Sequence, residues 1–259
     1  MLSRKIPFVI LLGAAISCAH GPNAAITTPV TSGRDVLAAM QRAYNGKWYK
    51  TLTFVQRTTI TRADGTQQVS TWYEALESPA RLRIDFENPK AANGVLYTAD
   101  SVYVVRGGNV TRKAADGNVF LPFVAGVYTQ PFDTTLRQLA PYHFDLTLVR
   151  PDRWQNRAVY VVGARDSADL TSPQFWIDRD RLIALRIIVP LGSANAKPFD
   201  IHLDKYVPVA HGWLATRVAI LSAGIARQTE EYSDWRGDVP LAHDLFVVEH
   251  WTTAPHWVR

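Results

Sequence analysis

One cysteine, Cys18, stands in a chain of 259 residues. No internal disulfide can form, and cysteine-based metal chemistry is excluded. No apolar run reaches the roughly 18–20 residues that a membrane-crossing helix needs. No repeat recurs at a fixed spacing of about 20–50 residues, which argues against propellers and solenoids. The signatures of chemistry are missing too. There is no Gly-x-Ser-x-Gly elbow: Leu191-Gly192-Ser193-Ala194-Asn195 lacks the second glycine. There is no His-Glu-x-x-His, no phosphate-cradling glycine loop and no dinucleotide fingerprint. His250 and His256 flank an aromatic tail, and they read as surface or core histidines rather than as ligands. The chain therefore reads as a non-enzyme without metal or cofactor.

Charge of one sign is in short supply as well. Lysine and arginine exceed aspartate and glutamate by 28 to 23. The arginines (Arg57, Arg62, Arg81, Arg83, Arg112, Arg150, Arg153) are scattered rather than gathered. A nucleic-acid footprint is a basic patch on one face, so nucleic acid is not an expected partner. What is present is ordinary globular material, 47% hydrophobic and 20% charged, and one β-rich domain of this length can bury its own core.

The N-terminus carries the sharpest local signal. Arg4-Lys5 precede an apolar stretch, residues 6–15, of signal-peptide length. Ala15-Ile16-Ser17-Cys18 follows and resembles a bacterial lipobox, with a small residue before the cysteine. On that reading residues 1–17 are a signal peptide and Cys18 becomes the lipidated first residue, its several acyl chains anchoring the protein stably. Ala19, in place of the aspartate that retains lipoproteins in the inner membrane, implies delivery to the outer membrane, facing the periplasm. The alternative is an ordinary cleaved signal near Ala24-Ala25 and a soluble periplasmic protein. Residues 18–32 read as a tether, and residues 33–259 as one domain.

Ser32 is placed as an N-cap, Val36, Leu37, Met40 and Tyr44 repeat at helical spacing, and Gly46 is a stop, which predicts a helix over residues 33–45. From Trp48 the period changes to two. Trp48, Leu52, Phe54 and Ile60 share one parity, and Asp64-Gly65 marks a hairpin. In residues 81–87, Leu82, Ile84 and Phe86 alternate with Arg81, Arg83, Asp85 and Glu87, which predicts a strand with one wet face. Strand patterns follow at residues 95–98, 102–106, 144–150, 158–164, 174–178, 182–189, 199–206, 213–222 and 226–235, joined by short turns, as in an antiparallel meander. Residues 119–139 break the alternation: Pro122 and Pro131 interrupt an aromatic segment that reads as one or two short helices over the sheet. The aromatic end beyond Leu245 reads as a strap.

The chain is similar, over most of residues 33–246, to the LolA/LolB-type outer-membrane lipoprotein-carrier family. The likeness rests on Tyr44-Asn45-Gly46, Thr51-Leu52-Thr53-Phe54-Val55-Gln56, the Asp64-Gly65 turn, and Pro79-Ala80-Arg81-Leu82-Arg83-Ile84-Asp85-Phe86. It extends to Phe175-Trp176-Ile177-Asp178, Leu185-Arg186, Gly212-Trp213-Leu214 and Tyr232-Ser233-Asp234. The resemblance implies an unclosed antiparallel β-barrel, a strongly bent sheet with an N-terminal helix and short lid helices on its concave side. It also implies a carrier or receptor that holds the acyl chains of lipoproteins or other lipids, or a non-catalytic envelope interaction or stress-sensor lipoprotein of the same fold. A monomer is expected. The aromatic tail has no counterpart in that pattern.

A bent sheet must cover its apolar face, and acyl chains can fill whatever the lid leaves open, each buried methylene contributing about 0.8 kcal/mol. The candidate acyl-binding residues are Phe54, Leu82, Ile84, Phe86, Phe144, Leu146, Leu148 and Ile177 on the sheet, with Phe120, Phe123, Val124 and Tyr128 from the lid. The same residues would serve equally as plain core, since periodicity reveals an apolar face and not an empty one.

Overall fold

A computed structural model of the chain describes residues 29–190 and 197–258. The expected signal peptide and lipobox, with Cys18, lie outside the described residues.

The chain opens with helix α1 (Gly33–Tyr44), as its caps predict. Ser32 Oγ accepts from the Asp35 amide, and the Asp35 carboxylate accepts from Thr31 and Ser32, which satisfies free groups of the first turn. Hydrogen bonds from Thr31 and Ser32 hold the Asp35 carboxyl below its ordinary range. One face of α1 buries Val36, Leu37, Met40 and Tyr44. Gly33 is needed for close approach: its amide donates to Leu146 O at 2.8 Å, and a Cβ there would sit 2.4 Å from Val162 Cγ1.

Thirteen strands follow in one antiparallel sheet. Six run outward from the middle: β1 (Thr51–Thr61), β2 (Gln67–Glu77), β3 (Arg81–Phe86), β4 (Gly94–Tyr97), β5 (Val102–Arg106) and β6 (Asn109–Ala114). Seven run back inward: β7 (Val149–Trp154), β8 (Arg157–Val162), β9 (Gln174–Asp178), β10 (Ala184–Val189), β11 (Phe199–Val209), β12 (Gly212–Ser222) and β13 (Ile225–Gly237). The order is β6-β5-β4-β3-β2-β1-β13-β12-β11-β10-β9-β8-β7, so β1 and β13 meet in the centre, while β6 and β7 are free edges that do not pair with each other. The barrel is unclosed, as expected.

Residues 115–148 join those two edges. They hold one π-helical turn (Pro122–Gly126), short helix α2 (Val127–Thr129) and helix α3 (Phe132–Leu139). The expected breakdown of alternation is therefore a lid. One large core cluster unites α1, the lid and the sheet.

Three expectations need correction. The Asp64-Gly65 turn is real, with Gly65 at φ +84° and Asp64 Oδ1 accepting from Thr66, but the connection spans residues 62–66 rather than two. Phe144, Leu146 and Leu148 are not strand residues, because β7 starts at Val149. Asp145 captures the amide and hydroxyl of Thr147, and its carbonyl accepts from Leu148, so the chain turns there despite its alternation.

The third correction concerns β3. Arg83 and Asp85 do not face water: they are 2% and 1% exposed. The C-terminal strap covers them, placing Leu245, Phe246 and Trp251 against Ala75, Leu96 and Val105 in a second core. Arg83 forms two hydrogen bonds with Asp85, at 2.8 and 2.9 Å, and donates to the carbonyls of Leu245 and Trp251. Its guanidinium lies 4.0 Å from the Trp251 ring centre, and His256 Nε2 is 3.0 Å from Asp85.

Candidate functional site

Between sheet and lid lies a cavity of about 110 Å³. Its floor comes from β1, β2 and β3 on one side and from β11, β12 and β13 on the other. Leu82 on β3 and Leu203 on β11 both line it. Their strands are five steps apart, about 24 Å across a flat sheet at the usual interstrand spacing. Only a tightly curled sheet brings both to so small a space, and the curl makes the site.

The roof is Asn118, Phe120, Leu121, Phe123, Val124 and Tyr128. It is pinned at one carbonyl: Val124 O accepts from Trp48 Nε1 at 2.9 Å and from Tyr49 Oη at 3.0 Å. Tyr128 stacks on Trp48 with ring centres 3.8 Å apart and donates to Leu182 O. Phe123 wedges against Phe144 and Phe175. The side chains of Phe120 and Val124, by contrast, are only half-buried and form the rim.

Of the twelve residues proposed from sequence, the structure brings seven to the cavity: Phe54, Leu82, Ile84, Phe120, Phe123, Val124 and Tyr128. The other five lie elsewhere. Phe144 and Ile177 are buried core, Phe144 packing edge-on to Phe175. Leu146 lies under Gly33 in the turn before β7, with Leu148 in the same turn. Phe86 does not line the cavity; it packs behind the lining residue Trp72, with Arg106 over its ring. None of His143, His202 and His211 lines the cavity.

Sequence reasoning missed the polar groups of the floor. Gln56, Glu74 and Glu230 line the cavity and are nearly inaccessible. Register explains this: Phe54 pairs with Glu74 across β1 and β2, and Gln56 with both Trp72 and Tyr232. The signal was present, because Gln56 shares the parity of Leu52 and Phe54. Burial pushes the Glu74 carboxyl well above the usual carboxylate range, and the neighbouring Glu230 adds to the rise. Glu230 is also raised by burial, against hydrogen bonds from Tyr232 (2.6 Å) and Gln228 (2.7 Å). Among the described residues no lysine, arginine or histidine lines the cavity.

A second polar cluster occupies β9, β10 and β11. Arg186 lies 4.4 and 4.7 Å from the ring centres of Trp154 and Trp176, and it donates to both oxygens of Asp200 at 2.7 Å. Despite its burial, Asp200 is brought down to about 2 by Arg186 and His202. No group of three or more histidine, cysteine, aspartate or glutamate side chains suited to a metal occurs among the described residues. No helix among them is long and apolar enough to cross a membrane.

No family model matches the chain, and no curated protein matches it. Solved structures do. A DUF1329 family protein from Desulfovibrio piger aligns with a TM-score of 0.56 at 13% identity, covering 83% of this chain and 95% of that one. A LolA superfamily protein from Nitrosomonas europaea gives 0.54 at 12% identity, covering 84% and 98%. An outer membrane lipoprotein-sorting protein domain from Vibrio parahaemolyticus gives 0.52 at 11% identity, covering 83% and 97%. The chain has the LolA-type fold. That is the fold which the motifs quoted above imply, and at these identities the match is one of architecture.

Proposed function

We propose that this protein is an envelope carrier or receptor that binds lipids or lipoproteins and holds their acyl chains between its curled sheet and its lid. The supporting observation is the cavity itself: a mostly apolar space roofed by a lid with a half-buried rim, in a sheet curled tightly around it. The fold it shares with a lipoprotein-sorting domain points the same way. Lipidation at Cys18 would tether the protein to the outer membrane, facing the periplasm, as a monomer.

A volume of about 110 Å³ is below the roughly 150 Å³ known to admit benzene. Several methylenes fit; a whole acyl chain requires the rim at Phe120 to swing outward. The described conformation is thus the narrow one on this reading. A space too small for a whole chain is also compatible with a non-catalytic interaction or sensor role, which is the second reading.

Native mass spectrometry of a Cys18→Ser variant, purified from envelope extracts, separates the two. The carrier reading expects acyl-bearing adducts that are lost when Ala215→Trp fills the floor. An adduct-free protein that also fails to take up an added acyl probe would overturn it.

A further inference from the structure

The floor of an acyl cavity has no need of a carboxyl group, yet Glu74 is there. It is 4% exposed, it lines the cavity, and it has no hydrogen-bond partner among the described residues. A buried polar group without a partner is destabilising unless something completes it. Its neighbour differs: Glu230 already accepts from Tyr232 and Gln228. Elsewhere on the floor Gln56 Nε2 donates to Thr58 and Trp72 Nε1 to Ser70. Of the two floor carboxyl groups Glu74 is the one left open, and it lines the space that the preceding reading assigns to an acyl chain.

We propose that Glu74 is the polar anchor of that cavity, its carboxyl group donating a hydrogen bond to the carbonyl oxygen of a carboxylic ester or amide, so that the protein takes acyl chains in neutral linkage and refuses free fatty-acid carboxylates. This rests on the acyl-cavity reading and specifies its ligand class. Three observations support it. No cation lines the cavity to balance a fatty-acid carboxylate. The titratable groups facing Glu74 are Glu230 and Tyr232 on β13 and Tyr97 on β4, none of which supplies positive charge. Burial and the second carboxyl favour the protonated, donating form of Glu74. A neutral ester carbonyl presents an acceptor and nothing else, whereas a carboxylate brought beside Glu74 and Glu230 would be a third acid in a space without a counter-ion.

The test compares binding of methyl decanoate and decanoate to the full-length protein near neutral pH, by calorimetry below the micellar range. The expected result is that the ester binds at least about tenfold more tightly than the carboxylate. Glu74→Leu, which keeps the volume and removes the donor, is expected to weaken the ester by about three- to tenfold, while Glu74→Gln, which keeps a donor, stays within about twofold of wild type. Equal or tighter binding of decanoate overturns the proposal, and so does an unchanged ester affinity in Glu74→Leu. If neither probe binds the folded wild-type protein, the acyl-cavity reading itself has failed. If the ester binds but the variants are indistinguishable from wild type, only the role of Glu74 has.

Discussion

Replacing Asp85 with alanine strikes the junction between sheet and strap. Its carboxylate is the counter-charge to Arg83, at 2.8 Å, and both side chains are at most 3% exposed. Arg83 in turn holds the strap through the carbonyls of Leu245 and Trp251 and through its stacking at 4.0 Å on the Trp251 ring. Removal of one partner leaves a buried, uncompensated guanidinium, a loss of about 3–5 kcal/mol. In a domain of this size each kilocalorie lowers the midpoint of thermal unfolding by roughly 2–4 °C, so a fall on the order of 10 °C is expected. Arg83→Met should cost a similar amount. The double variant Arg83→Met/Asp85→Leu should lose much less than the sum, because an apolar pair is often no worse than a buried ion pair. Thermal and urea denaturation supply the numbers, and limited proteolysis beyond Gly237 reports whether the strap has come loose. A loss below about 1 kcal/mol in Asp85→Ala, or strict additivity in the cycle, would refute the argument that this pair locks the strap to β3.

Gly33→Ala places a methyl 2.4 Å from Val162 Cγ1 and 3.2 Å from the Leu146 backbone; about 1–3 kcal/mol of destabilisation is expected in a urea titration. Removing the two donors to Val124 O, by Trp48→Phe with Tyr49→Phe, should raise hydrogen exchange in residues 118–129 while β1 to β3 stay protected, since the lid loses its pin and those strands keep their ladder hydrogen bonds. The buried acids predict an inverted pH response. Because the folded-state pKa of Glu74 lies above its unfolded value, the folded state binds the extra proton, and stability declines as pH rises from the ordinary carboxylate range towards the raised value. Glu74→Gln should therefore be more stable than wild type at neutral pH and equal to it near pH 4, as measured by paired urea titrations. Asp200 acts oppositely: its stabilisation is present above the ordinary carboxylate range and is lost as pH falls towards about 2, a loss that Asp200→Asn should abolish.

Alternation in β3 and the caps of α1 made these elements readable, because each is decided by neighbours in the chain. The strand frame was legible for the same reason: Leu82 and Ile84 fall on the concave face, and Gln174–Asp178 is a strand as read. What was not legible depends on partners distant in sequence. Arg83 and Asp85 carry the local pattern of a wet face, and only residues 245–256, some 160 positions later, make it dry. Phe144, Leu146 and Leu148 alternate like a strand, but Asp145 spends its side chain on the Thr147 amide and turns the chain instead. Within the site, the lid aromatics announced themselves by losing the period. Glu74 did not, since a glutamate in an alternating strand reads as solvent-facing until its register against Phe54 is known.

The topology ties the lid to the curl. Because strands run outward from β1 and return inward to β13, the segment between β6 and β7 must reach from one free edge to the other. It crosses the concave side, and its pin at Val124 O is held by Trp48 and Tyr49, at the entrance to the central strand β1. A lid fixed at both edges and at the centre cannot lift as one body. It can bow only away from that pin, at the half-buried Phe120, or move as the edges separate and the sheet uncurls. Either movement widens the space above Phe54 and Glu74, whereas a closed barrel would fix its radius by strand number and stagger. The unpaired edges thus leave the curl free to change, which the proposed carrier role requires of so small a cavity.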